Sequence, residues 1–184
     1  MARTTTSPPR IAKRVPGATH GTQHPVAIAI HCTVSLNRPG LADVLAIPNF
    51  WRLQAKGYNA HCVTDGEGNT AKCALDNRVC WAVAGSNTGR LHIEFIGKDT
   101  DSRATWLSDE RIKGLKEGAK WCAYWGHRWD IPMKRSVAHG IAGHGDYSAA
   151  FHVSDHTDPG PGFPWDRFLS MCAWYYDNGW IAPK

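Results

Sequence analysis

No stretch of this chain approaches the roughly 20 consecutive apolar residues that a membrane-spanning helix needs. The opening MARTTTSPPRIAKRVPG also lacks the apolar segment of a secretory signal. These two absences predict a protein made without a signal peptide, held soluble in the cytoplasm and not inserted in a membrane. The six cysteines (Cys32, Cys62, Cys73, Cys80, Cys122, Cys172) include no Cys-x-x-Cys pair and no dense framework. In a reducing compartment they read as small core hydrophobes, not as disulfides or a second metal site. Acidic residues are missing until Asp43. The basic residues before it, Arg3, Arg10, Lys13, Arg14 and Arg38, account for the whole formal charge of +5. Beyond that point the charges cancel, so the excess belongs to an N-terminal segment and not to a nucleic-acid-binding face.

What is present suits a single globular domain of 184 residues, 42% hydrophobic and 20% charged. Residues 1–20, rich in Thr, Pro and Arg, read as a poorly ordered basic arm whose deletion leaves the fold intact. Residues 26–30, VAIAI, form a continuous apolar run that suits a buried central strand ending at His31. A helix is expected over 49–56, with Pro48 near its first turn. Strands are expected over 60–64, 70–75, 79–84 and 91–96, the first two joined by the Asp65-Gly66-Glu67-Gly68-Asn69 turn. Ile112, Leu115, Ala119, Cys122 and Trp125 fall on one face of a helix over 108–127. A last helix begins at Pro164. The pattern is α/β, without internal repeats.

Chemistry concentrates in residues 139–165, HGIAGHGDYSAAFHVSDHTDPGPGFPW, which hold four histidines and three aspartates among glycines and prolines. So many breakers argue against a core helix, and a plain solvent loop has no need of so many imidazoles. Imidazole nitrogen with one carboxylate is a ligand set for zinc. His31, at the end of a buried strand, His144 in Gly-His-Gly-Asp, and Asp158 in Asp-Pro-Gly-Pro supply three such ligands. Three ligands leave a fourth position for water, the pattern of a catalytic site. Glu94 is the fourth notable residue: a carboxylate in an apolar strand is costly unless paired or employed, although an edge-strand glutamate facing solvent is the ordinary alternative.

The ordered set IAIHCT, NAHCV, LHIEFIG, GHGDYS and HTDPGPGFPW resembles the zinc-dependent N-acetylmuramoyl-L-alanine amidases, especially those of bacteriophage endolysins. That superfamily includes the peptidoglycan recognition proteins. The resemblance runs from about residue 24 to 176, and TDPGPGFPW is its most specific piece. It implies a central mixed β-sheet flanked by helices, with zinc in a groove at the sheet's edge. It also implies an amidase catalytic domain over 21–184 that works as a monomer on bacterial peptidoglycan, after release from the cytoplasm to the cell wall.

Residue by residue, the resemblance gives His31, His144 and Asp158 as zinc ligands and Glu94 as the group that activates water. His156 falls where many relatives place a lysine that stabilises the oxyanion, and as an imidazole it carries a full charge only when protonated. Trp81, Asn87 and Arg90, near the Glu94 strand, are candidates for binding the sugar and stem peptide. Three departures stand out: Cys32 where a second histidine is common, His156 in place of lysine, and a long gap between His144 and Asp158. That gap makes His152 a rival ligand. Two other readings remain at this point, a peptidoglycan-binding module without turnover and an unrelated metallohydrolase.

Overall fold

The computed structural model describes residues 7–35 and 40–180. In chain order the elements are β1 (Lys13–Arg14), β2 (Ala27–Cys32), α1 (Leu41–Leu53), β3 (Cys62–Thr64), β4 (Thr70–Lys72) and β5 (Arg90–Phe95), followed by α2 (Arg103–Trp106), α3 (Ile112–Trp129), β6 (Ile141–Gly143), α4 (His144–Phe151) and α5 (Trp165–Asn178). The strands form one mixed sheet in the order β1-β4-β3-β5-β2-β6. Among these described strands, β3 and β4 pair antiparallel and the other neighbours pair parallel.

Alternation along β2 and β5 sets the layers. Ile28, Ile30, Cys32, Leu91, Ile93 and Phe95 share one face and pack against Leu115, Trp121, Cys122 and Trp125 of α3 and Phe168 and Cys172 of α5. The opposite face carries two smaller clusters. Val63, Ala71 and Ile96 lie under Val44, Leu45, Ile47 and Trp51 of α1, while Ala29 and Ala142 lie under Tyr147 of α4. Helices α1 and α4 therefore cover the two ends of this second face and leave its middle, over β5 and β2, uncovered.

Several elements depart from the sequence reading. Helix α1 starts eight residues before the expected 49 and contains Pro48 in its interior. The apolar spacing Val44–Ile47–Trp51, which packs on the sheet, outweighs the missing N–H of one proline. No strand forms over 79–84. The side chain of Asn87 takes up backbone groups within that stretch, and Gln23 takes up others on either side of it. Gln23 Nε2 donates to the carbonyls of Asp76, Arg78 and Arg90, and Asn87 Oδ1 accepts from Ala82 and Val83 N–H at 2.8 and 2.7 Å. The third departure lies in the basic arm.

Residues 1–6 of that arm lie outside the described residues. The remainder does pack, contrary to the expectation of a poorly ordered segment. Lys13 and Arg14 pair in parallel with Ala71 and Lys72, Val15 is buried, and Ile11 lies against the main core. An apolar pair flanking a short strand is enough to seat it on the sheet's open edge. All six cysteines are buried and unpaired. Among the described residues no helix is long and apolar enough to cross a membrane.

Candidate metal centre and its groove

The C-terminal ends of β2 and β6 deliver the two histidines. His31 is the fifth residue of β2, where alternation turns it away from α3 and α5, and His144 follows β6 directly as the first residue of α4. The helix begins there because Asp146 accepts a hydrogen bond from the Gly143 N–H at 2.8 Å and is itself held by Arg135. Reading residues 139–165 as too rich in breakers for a core helix thus missed α4, and the short strand β6 before it went unnoticed. Their glycines serve a different purpose. A Cβ on Gly143 would lie 2.8 Å from Pro159 Cδ, and one on Gly145 would lie 3.0 Å from the Thr157 carbonyl. Both positions let the 157–159 segment close on the helix start, where Gly145 N–H donates to the Asp158 carbonyl at 2.9 Å.

That closure brings the Asp158 carboxylate between the two imidazoles. His31 Nδ1 lies 3.2 Å from Oδ2, and His144 Nδ1 lies 3.2 Å from Oδ1. All three side chains are buried, and one donor atom from each falls within 4.8 Å of the others. Burial by itself would raise the Asp158 pKa, but hydrogen bonds from His144 and His31 outweigh it and hold the group well below the usual carboxylate range. Burial lowers the pKa of His144. Two imidazole nitrogens and a carboxylate oxygen, converging in a dry place, suit a divalent ion of the zinc type.

Glu94 stands across from His31 in the β2–β5 register, so the two side chains share a face. It is on a central strand, which removes the solvent-facing edge alternative. Desolvation, followed by the Asp158 charge, raises its pKa well above the ordinary carboxylate value. The uncovered middle of the sheet becomes a groove of about 770 Å³, with Glu94, His31, His144 and Asp158 along it. One wall is Ile47, Phe50 and Trp51 of α1; another is Tyr58, Trp81, Ala82 and Asn87.

The other expected residues divide. His156 is at the site: its Nδ1 lies 3.3 Å from Asp158 Oδ1, its ring stacks on His144 at 4.3 Å, and its side chain is 58% exposed. His152 is away from it, exposed at the C-terminal end of α4 with φ 53. Trp81, 44% exposed, and Asn87 line the groove. Arg90 does not. It opens β5 at the end remote from Glu94, its guanidinium donates to the Thr88 carbonyl, and it stacks over Tyr147. Proximity in sequence to Glu94 misled because four strand residues carry the chain about 13 Å. Sequence reasoning also passed over His92, two residues before Glu94 and hence on its face, and the α1 aromatics; the period-two rule alone would have found the first.

Three buried donors that could hold a metal ion, beside a carboxylate of raised pKa at the C-terminal end of a mixed sheet, are the arrangement of a metallohydrolase-like α/β domain. The family comparison then narrows it. The N-acetylmuramoyl-L-alanine amidase family matches residues 21–161, and the chain belongs to that family. It is an amidase of this kind, and the family's substrate is peptidoglycan. No curated protein sequence matches it significantly. Among solved structures it is similar to the Staphylococcus aureus hydrolase AmiA in complex with its ligand, at 17% identity and TM-score 0.70 over 97% of this chain and 89% of that one. It is also similar to the endolysin amidase LysCS from Clostridium intestinale URNW (16%, TM-score 0.62, 92% and 99%). A third is the Ph2119 endolysin from Thermus scotoductus MAT2119 bacteriophage Ph2119 (16%, TM-score 0.57, 85% and 89%). At these identities the likeness is one of fold.

Proposed function

We propose that the chain is a zinc-dependent, bacteriophage-endolysin-type amidase that cleaves the bond between N-acetylmuramic acid and L-alanine, with His31, His144 and Asp158 holding the metal. The observation that carries this reading is the convergence of those three donors beside Glu94 in one open groove. The ion, when bound, supplies Lewis acidity and makes water nucleophilic near neutral pH. Glu94 accepts the proton of the attacking water, a task suited to a carboxyl whose pKa burial has raised well above the ordinary carboxylate value. It then returns the proton to the leaving amine of L-alanine. His156, exposed at the rim and close to the donors, donates a hydrogen bond to the developing oxyanion. Tyr58, Trp81 and Phe50 offer flat apolar surface to a sugar or stem peptide, with Asn87 beside them.

Digestion of purified peptidoglycan tests this reading. The expected result is release of new L-alanine amino termini without new reducing sugars, abolished by chelation and restored by zinc. Reducing sugars, or no product under any metal condition, would refute it.

A further inference from the structure

His92 is fully buried on β5, two residues before Glu94. Its Nδ1 lies 3.2 Å from Nε2 of His31, and its backbone N–H donates to His61 Nδ1 at 3.1 Å. Its own Nε2 meets no partner. A buried imidazole with one unpaired nitrogen carries a desolvation cost that an apolar residue at the same place would avoid. The reaction steps above give it no task.

The geometry around His31 supplies one. A neutral imidazole has a single N–H, so the two ring nitrogens of His31 cannot both offer lone pairs at once with a proton held elsewhere. Coordination through Nδ1 requires the proton on Nε2, and in a dry interior that N–H needs an acceptor. The partner the structure places there is His92 Nδ1. We propose that His92 is a positioning residue of the metal centre. Its Nδ1 accepts the Nε2–H of His31, holds that ring in the Nε2–H tautomer, and so aims the Nδ1 lone pair at a divalent ion shared with His144 and Asp158.

The arrangement puts the His92 proton on Nε2, where it meets no acceptor, so the hydrogen bond to His31 is kept at the cost of one unpaired N–H. His144 has a different brace. Its Nε2 lies 3.3 Å from Ser154 Oγ, which is 2.6 Å from Ser148 Oγ. A hydroxyl turns freely between donor and acceptor, so it orients a ring without fixing the tautomer as firmly. The inference rests on the ligand assignment proposed above, and the test separates the two.

Zinc affinity is measured by competition with a chromophoric chelator for the wild type, His92→Leu and His92→Asn, and ring-nitrogen NMR is recorded on the zinc-loaded wild type. His92→Leu is expected to weaken zinc binding about 10–100-fold, the usual effect of losing a partner behind a ligand. His92→Asn, whose amide oxygen can stand where Nδ1 stood, should recover most of that loss. The wild-type spectrum should show His31 protonated at Nε2 and metal-bound at Nδ1. Unchanged affinity in His92→Leu, or a wild-type His31 protonated at Nδ1, overturns the proposal while leaving the ligands in place. Equal weakening by Leu and Asn marks a packing defect and overturns it too. A wild type that binds no zinc overturns the ligand assignment and this inference with it. If His92→Leu does not fold, the Asn variant and the wild-type spectrum decide.

Discussion

The two faces of β2 and β5 differ by one residue step and by almost everything else. On the face towards α3 and α5, Ile28, Ile30, Leu91 and Ile93 are fully buried among indoles and phenyl rings. Each such side chain contributes about 1.5–3 kcal/mol from burial alone. On the other face the same strands carry His31, His92 and Glu94. There the interior is just as dry at His31 and His92, and each polar atom left unpaired costs about 1–3 kcal/mol. The helix-side face makes the fold stable, and that stability holds the groove-side groups in an arrangement they would not adopt alone. Chemistry sits where the covering helices α1 and α4 leave a gap.

If that division is right, substitutions on the two faces should be separable. The largest effect is expected at Asp158→Ala, which removes the carboxylate shared by both imidazoles. Zinc should fall from about one per chain to none and amidase turnover below detection, with the folded far-ultraviolet spectrum retained. His144→Ala should behave alike, and His152→Ala should keep metal and activity. Metal analysis after gel filtration decides; full occupancy in Asp158→Ala would move the site elsewhere.

Next in size is Glu94→Gln. It keeps shape and hydrogen bonding but cannot take a proton, so kcat should drop roughly 10²–10⁴-fold with zinc content unchanged. The helix-side counterpart is Phe168→Ala, in the cluster with Phe95, Phe163 and Trp165. It should cost about 3–5 kcal/mol of stability while the protein that remains folded turns over normally. Denaturant unfolding beside single-temperature kinetics reads both. A Phe168→Ala protein that is stable but inactive would mean that the two faces are coupled.

Removing residues 1–20 tests the sheet's open edge. It deletes β1 and the buried Val15, and also His20, whose ring stacks on Trp81 at 3.5 Å. A loss on the order of 1.5–3 kcal/mol is expected from Val15 burial. A weaker KM is also expected if the stack steadies that groove wall. An unchanged melting temperature would restore the view of these residues as a mere solvated arm.

Much of this was legible beforehand, and unevenly. The AIAIHC strand, the α3 stripe and the convergence of His31, His144, Asp158 and Glu94 followed from periodicity, from motif order and from the family resemblance. Positions whose meaning depends on distant partners did not. Nothing local shows that Gln23 would bind three carbonyls from 76, 78 and 90, or that Val15 would find Ala71 and Cys73. Pro48 inside α1 and the helix opening at His144 show tertiary packing and a single cap overriding local propensity. Arg90 shows the reverse error, in which nearness along the chain was taken for nearness in the groove.

The smallest expected effect is also the most direct probe of the electrostatic cost at the groove face. Burial raises the Glu94 pKa in the folded protein, so between the unfolded value of about 4.3 and the raised folded value the native state binds more protons than the unfolded one. Stability contributed by Glu94 is therefore intact below the unfolded pKa, falls as pH rises, and stays low above the folded pKa. Glu94→Gln lacks this loss. In chelator, the melting temperature of Glu94→Gln minus that of the wild type should be near zero at about pH 4. It should grow positive with rising pH and then level off, while contributions common to both proteins, such as the histidines, cancel. With zinc bound, the cation offsets the desolvation of the carboxylate and the difference should shrink. A difference that is flat with pH in chelator would show that Glu94 ionises freely in the fold, and would leave its role as a tuned base without its physical ground.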